Sequence, residues 1–257
     1  MTLRALALSI GVSVLACSAT ARPPAPPRLL GPPRFDVDPI RHYRGRLIQT
    51  QTVTADGQPV LDENMTLTFV DRVQIEPRAT GFAVTEQLSE IAVTGRLSAA
   101  EDESTRRLLE GARLGAEFSA DLGIVTSTAP SPEVEMMVAL MQTEPQLLPL
   151  LPHEPVARGA SWTHTRTIDL LGGTLEIAIR VTYDDNVPCS AATCARLVTV
   201  DTLTPGKGLT GTGSGRGVIL VGHDDGRLVS NETSGELDVE IEGTRLTTRY
   251  TRRLLRE

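Results

Sequence analysis

The sequence predicts an all-β fold, mainly antiparallel sheet arranged as a half-barrel or a sandwich, with one packed amphipathic helix. From Tyr43 onward apolar and polar residues alternate with a period of two, which is typical of half-buried antiparallel strands. Asp-Gly and Glu-Gly pairs recur between the alternating runs, and such pairs favour hairpin turns. The segment Ser131–Leu148 breaks this alternation and carries apolar residues at helical spacing.

The N-terminus has the features of an export signal. Arg4 precedes the apolar run Ala5–Ala16, which is shorter than a helix that spans a bilayer. The residues Val14–Cys17 read VLAC and resemble the lipobox of bacterial lipoproteins. The resemblance implies cleavage before Cys17 and attachment of diacylglycerol, with fatty acids such as palmitate, to its thiol. The alternative is cleavage after the A-x-A sequence Ala19–Ala21, which would give a soluble periplasmic or secreted protein.

A proline-rich segment follows the predicted signal. Ala21–Arg34 contains six prolines, and proline-rich chains form semi-rigid spacers. We therefore expect a signal peptide over residues 1–16, a lipid-anchored linker over 17–39 and a single β-rich domain over 40–257. In bacterial lipoproteins an Asp after the lipidated cysteine is typical of retention at the inner membrane, so the resemblance, with Ser18 at this place, implies the periplasmic face of the outer membrane.

Alternating segments and turn pairs set the predicted order of strands. The clearest strand is Thr174–Tyr183, in which every second residue is apolar. Other predicted strands are Arg46–Thr54, Pro59–Leu61, Met65–Ile75, Gly81–Ser98, Ala112–Ser119, Ile124–Thr128, Arg196–Asp201, Gly217–Val221, Arg227–Ser230, Glu236–Glu242 and Thr244–Leu254, with turns at Asp56-Gly57, Gly123, Asp225-Gly226 and Glu242-Gly243.

One helix of the domain is predicted over Pro132–Thr143 (residues 132–143). Ser131 is a good N-cap, and proline suits the first helical position. Met137 and Met141 lie on its apolar face, where they either fill the core or line a soft apolar pocket. A second helix is predicted over the charged segment Ala99–Glu110.

The chain has three cysteines, an odd number that needs an explanation in an exported protein. Acylation of Cys17 leaves Cys189 and Cys194, which four small residues separate. We expect a disulfide between them at the tip of a hairpin. A redox pair is the alternative, but redox cysteines are usually two residues apart at the start of a helix.

The stretch Pro155-Val156, Gly159 and Trp162 resembles a P-V-x-x-G-x-x-W signature in uncharacterised secreted bacterial lipoproteins. In those proteins a short helix precedes the signature and a run of strands follows it. The resemblance implies a half-barrel or open sheet and carries no agreed activity. The chain is also similar, without a shared motif, to periplasmic lipoprotein carriers, which hold acyl chains in an open β half-barrel under helices.

Composition and motifs narrow the function. A net charge of −7 and 3% aromatic residues argue against nucleic-acid binding. The chain has no G-x-S-x-G, H-E-x-x-H or P-loop motif, and nothing in it predicts a metal or cofactor. The glycine-rich stretch Gly211–Gly217 precedes a predicted strand, so we interpret it as a flexible loop. The four histidines lack the spacing of a zinc site, and His223 is expected at a solvated turn.

The sequence therefore predicts an envelope lipoprotein that is most simply a structural or protein-interaction module. Its expected partners are the membrane, through Cys17, and an envelope protein. The first alternative is a binding protein for an apolar ligand or lipid between helix and sheet. The second is a hydrolase without a local motif, since distant acidic residues can meet in a fold, but the missing motifs argue against an enzyme.

Overall fold

A computed structural model describes residues 29–31, 33, 39–95, 98–170, 173–189 and 192–257. The predicted signal, Cys17 and most of the proline-rich segment lie outside these residues. Eleven strands form one antiparallel sheet in the order β5-β4-β3-β2-β1-β11-β10-β9-β8-β7-β6, and the sheet is not closed. The all-β class is confirmed, as one large sheet and not two facing ones. The strands are β1 Ile40–Ala55, β2 Gln58–Arg78, β3 Gly81–Thr94, β4 Arg113–Ser119, β5 Ile124–Thr128, β6 Ser161–Leu170, β7 Gly173–Cys189, β8 Ala192–Pro205, β9 Thr210–Gly222, β10 Leu228–Ile241 and β11 Thr244–Arg256.

The predicted hairpin turns are confirmed. Asp56 and Gly57 have φ values of 52° and 74° between β1 and β2, and Glu242 and Gly243 have 48° and 81° between β10 and β11. Two consecutive positive φ values define the two-residue turns whose twist matches that of the flanking strands.

Short helices fill the gap between β5 and β6 and precede β4. Helix α1 spans Ala99–Leu109, and the predicted helix is present as α2, Pro132–Met141. Gln142 ends α2 because it adopts a left-handed conformation with φ of 56°. Helix α3, Glu144–Leu147, and a 3₁₀ turn, Leu148–Leu150, follow directly. None of the helices in the described ranges is both long and apolar enough to cross a membrane.

Residues 132–150, which we call the helical segment, cover one face of the sheet and require that face to be concave. Glu144 is close enough to Glu86 on β3 to influence its ionisation, while the Leu150 carbonyl accepts a hydrogen bond of 3.0 Å from Trp162 on β6. In a flat sheet β3 and β6 would be about 38 Å apart, at ~4.8 Å per strand. Six residues of helix span only about 10 Å, so the sheet curls around the helical segment.

The glycine-rich stretch Gly211–Gly217 is part of strand β9 and not a loop, so that interpretation was wrong. Its alternate glycines face the concave side, where neighbouring side chains occupy the space above them. A Cβ atom on Gly217 would lie 2.7 Å from the Thr233 hydroxyl and 2.8 Å from the Thr199 hydroxyl. The glycines therefore make room on the concave face within a regular strand.

Leu30, within the predicted linker, packs onto the domain. Its side chain is fully buried, and its backbone exchanges two hydrogen bonds of 2.9 Å with Val156. Cys189 and Cys194 are bonded across the β7–β8 hairpin, with their Cα atoms 5.7 Å apart.

Candidate functional site

The concave face carries two groups of polar side chains where an apolar core would be expected. We call the first the acidic cluster: Asp71, Glu86, Glu144 and Arg41. It lies between strands β1–β3 and the start of α3. We call the second the basin: Arg166, Asp201, Tyr250 and Arg252. It lies on β6, β8 and β11, beside the end of α2.

The acidic cluster ties the helical segment to the sheet. Arg41 on β1 forms an ion pair and a hydrogen bond with Glu144, and neither side chain is more than 1% exposed. Asp71 on β2 is 0% exposed and Glu86 on β3 is 5% exposed. Three carboxyl groups thus share one buried region with the guanidinium of Arg41.

Burial favours the neutral form of these acids. It raises the pKa of Glu86 to about 7, with the nearby Glu144 acting in the same direction. Burial, followed by the charge of Glu86, raises the pKa of Asp71 well above its usual range. Burial also raises the pKa of Glu144, although Arg41 opposes the shift. Three charged carboxylates would exceed the charge of Arg41, so the raised pKa values favour protonation within the cluster.

Paired carboxyls, one of them with a raised pKa, are typical of glycoside hydrolases. Here the three acids are at most 5% exposed, so a substrate does not reach them in this conformation. We interpret the acidic cluster as a lock that holds the helical segment on the sheet.

The basin is built across a row of paired strands. Asp201 on β8 is opposite Gly215 on β9, Gly215 is opposite Gly235 on β10, and Gly235 is opposite Tyr250 on β11. A Cβ atom on Gly215 would lie 2.9 Å from the Asp201 Oδ2 and 3.0 Å from the Tyr250 hydroxyl. The two glycines therefore let the tyrosine lie across the sheet toward the aspartate.

Arg252 connects the basin to the helical segment. Its guanidinium lies 4.3 Å from the centre of the Tyr250 ring, and its Nη1 donates a hydrogen bond of 3.2 Å to the Leu140 carbonyl at the end of α2. Burial lowers the pKa of Arg252 and of Arg166, and raises the pKa of Asp201. The charged groups have thus lost solvation that their protein neighbours only partly replace.

An apolar strip continues the concave face beyond the basin. Arg166 is opposite Ile177, which is opposite Leu203. Leu203 and Leu237 approach each other over Gly213, whose Cβ would lie 3.0 Å from one and 3.1 Å from the other. We define the strip as Ile177, Leu203, Leu237, Val239 and Leu246; Leu203, Leu237 and Leu246 are only half-buried.

The residues singled out from sequence are only partly in this region. Met137 and Met141 are buried in the core, and Cys17 lies outside the described residues. His223 is 6% exposed and lies 3.2 Å from the Tyr183 hydroxyl, so it is not a solvated turn residue as expected. His164 borders the basin on β6. In the described ranges no group of three or more His, Cys, Asp or Glu side chains could hold a metal ion.

Sequence reasoning missed both the acidic cluster and the basin. The available signal was a charged residue at an inward position of an alternating strand. In the segment Trp162–Ile168, for example, Arg166 is in phase with the tryptophan and the isoleucine.

Comparisons with known proteins show likeness of fold only. No protein-family model and no curated sequence matches the chain. The chain is similar to lipovitellin, in a structure that concerns lipid–protein interactions, with a TM-score of 0.51 and 11% identity over 85% of this chain. It spans 25% of the lipovitellin chain. DynF from the dynemicin biosynthesis pathway of Micromonospora chersina aligns over 90% of this chain and 85% of its own, at 13% identity. Its TM-score is 0.22, which does not indicate a shared fold.

Proposed function

We propose that this protein binds an apolar or amphiphilic ligand, such as a lipid, on the concave face of its sheet. The observation that supports this proposal is the apolar strip, whose leucines at positions 203, 237 and 246 stay half-buried beyond the helical segment. Partly exposed apolar residues that line a concave surface are typical of ligand sites. The fold likeness to lipovitellin, a protein described through its lipid contacts, is consistent with such a ligand.

The ligand would lie beside the helical segment and not beneath it. Met137 and Met141 of α2 are part of the packed core, so we do not place the ligand in an apolar pocket at these two residues. The strip instead offers leucine side chains that a hydrocarbon chain would cover, and each fully covered leucine contributes about 1.5–3 kcal/mol.

The test is binding of N-phenyl-naphthylamine, a neutral probe whose fluorescence rises in apolar surroundings. We expect saturable binding to the purified chain, and about tenfold weaker binding to Leu237→Gln, because a loss of ~1.4 kcal/mol is tenfold in affinity. Val200→Gln is the matched control, since Val200 is 51% exposed on the opposite face of β8. Equal loss in both variants, or no saturable binding to the wild type, would contradict the proposal.

A second candidate is the protein-interaction module that the sequence favours. A groove of about 570 Å³ on the convex face supports it. Arginines and apolar side chains line this groove together: Arg46, Arg216, Arg253, Ile48, Val198 and Val218. Photo-crosslinking from position 48 in the native host should capture one envelope protein, and Arg216→Glu should abolish the adduct. An adduct that survives this charge reversal would argue against the groove as an interface.

We further propose that the chain is exported and anchored to the envelope through acylated Cys17. The lipobox supports this proposal, and more than one acyl chain gives stable anchoring. The intact mass of the mature protein from bacterial membranes should fit acyl chains on Cys17. A mature chain beginning at Arg22 in the soluble fraction would refute the anchor.

A further inference from the structure

The basin has more cationic than anionic groups, and no two of its charges lie within the 4.0 Å of an ion pair, although Asp201 attracts both arginines at longer range. It holds the guanidinium groups of Arg166 and Arg252 and the single carboxyl of Asp201. Within the described ranges, Arg166 has no ion pair within 4.0 Å and no hydrogen-bond acceptor for its Nε. The Nε of Arg252 likewise has no acceptor there. A buried guanidinium normally has a carboxylate or phosphate partner.

The position of the basin indicates where such a partner would come from. Arg252 is 7% exposed and is held by the end of α2, whereas Arg166 is only half-buried as a residue, although its Nε is buried. Arg166 is opposite Ile177, the first residue of the apolar strip. A ligand whose anionic group binds at Arg166 could thus place an attached hydrocarbon chain along the strip.

We propose that the basin binds the acidic headgroup of an amphiphile, a carboxylate or a phosphate, while the hydrocarbon chain lies on the apolar strip. This inference rests on the proposed ligand-binding function and specifies its ligand. Arg166 supplies the first charge-assisted hydrogen bonds, and Arg252 adds positive potential from behind. Asp201 opposes the headgroup by like-charge repulsion and limits the affinity.

The experiment measures displacement of bound N-phenyl-naphthylamine from the purified full chain by four competitors. Stearic acid and monostearyl phosphate carry the acidic group, stearyl alcohol carries the same chain without charge, and inorganic phosphate carries the charge without a chain. The acids should displace the probe at about tenfold lower concentration than the alcohol, as expected for charge-assisted hydrogen bonds worth ~1.5 kcal/mol.

Two variants with opposite expected effects separate binding from misfolding. Arg166→Gln should remove the advantage of the acids over the alcohol and leave displacement by the alcohol unchanged. Asp201→Asn should increase the advantage severalfold, because it removes a negative charge beside the headgroup. Arg180→Gln is the control, since Arg180 is exposed on the other face of β7 and should not change either competitor.

The results distinguish the headgroup assignment from the proposed ligand-binding function. If the probe binds but acid and alcohol compete equally, the headgroup assignment is wrong and the proposed ligand-binding function stands. If the probe does not bind, both are wrong. If inorganic phosphate displaces the probe as effectively as the two acids do, the basin is a site for free anions and the amphiphile assignment is wrong.

Discussion

The acidic cluster and the basin lie on the same concave face, but they differ in whether their charged side chains form ion pairs. In the acidic cluster, Arg41 and Glu144 are directly paired and at most 1% exposed. In the basin, Arg166 is half-buried and makes no ion pair in the described part of the chain. The first arrangement joins two parts of the protein, and the second leaves a cation available to a ligand. Buried charge on one sheet face is thus paired where it joins two parts of the protein, and it lacks an ion pair where we propose that it binds a ligand.

The largest expected effect is the loss of the pair within the acidic cluster. Arg41→Gln leaves Glu144 buried beside two other acids, which should lower the free energy of unfolding by about 3–5 kcal/mol. Urea unfolding at neutral pH measures this change. Arg44→Gln is the control, because Arg44 is 58% exposed in its pair with Glu257 and such surface pairs are worth about 0–1 kcal/mol. Similar losses in both variants would contradict the role of the cluster as a lock.

A smaller effect is expected from pH. Burial raises the pKa of Glu86 to about 7 from its ordinary value of 4.5, so the folded protein keeps this proton to a higher pH than the unfolded chain does. The folded state therefore binds more protons than the unfolded state in this interval, and the free energy of unfolding should fall as pH rises from 4.5 to 7. Glu86→Gln should flatten this decline. At pH 8 the free energy of unfolding of the variant should exceed that of the wild type by on the order of 2 kcal/mol.

Urea unfolding at a series of pH values checks this prediction. Glu90→Gln is the matched control, because the Glu90 side chain is 65% exposed on the same strand. A wild-type stability that rises through this pH range, or a Glu86→Gln profile parallel to that of the wild type, would show that Glu86 is ionised in the folded state.

An effect on stability of similar size to that of Glu86→Gln is expected at the floor of the basin. In Gly235→Ala the new Cβ would lie 2.6 Å from both the Ser214 carbonyl oxygen and the Tyr250 Cζ, so the tyrosine ring must move. We expect a loss of about 1–3 kcal/mol in stability and weaker binding of acidic amphiphiles. Gly31→Ala is the control, since a Cβ there meets no atom within 4 Å. Unchanged ligand binding in a folded Gly235→Ala protein would separate the basin from the ligand site.

The fold was largely predictable because hairpin turns and alternation are local signals. Turn pairs such as Glu242-Gly243 and the cap at Ser131 fixed elements to within a few residues. The acidic cluster was not predictable in this way. A shift of register at Glu90, with φ of 51°, changes which residues of β3 face inward. Continuing the alternation back from Ile91 would place Glu86 on the outer face.

The basin was hidden for a different reason. In β8 both faces carry apolar residues, since Val198 and Val200 alternate with Leu197 and Leu203, so Asp201 could be assigned to either side. The glycines of Gly211–Gly217 have no side chains and so give no alternating pattern. The space that they leave is used by Tyr250, which comes from a strand two places away in the sheet. Such contacts between distant strands follow from the register and not from local sequence.

The most direct test of the account is a crystal structure of the protein with dibrominated stearic acid, in which anomalous scattering locates the bromine atoms. We predict bromine peaks over Leu203 and Leu237 on the concave face, with the carboxylate of the ligand at Arg166. Peaks in the convex groove beside Ile48, or no peaks under saturating ligand, would contradict the claim that the concave face binds an acidic amphiphile.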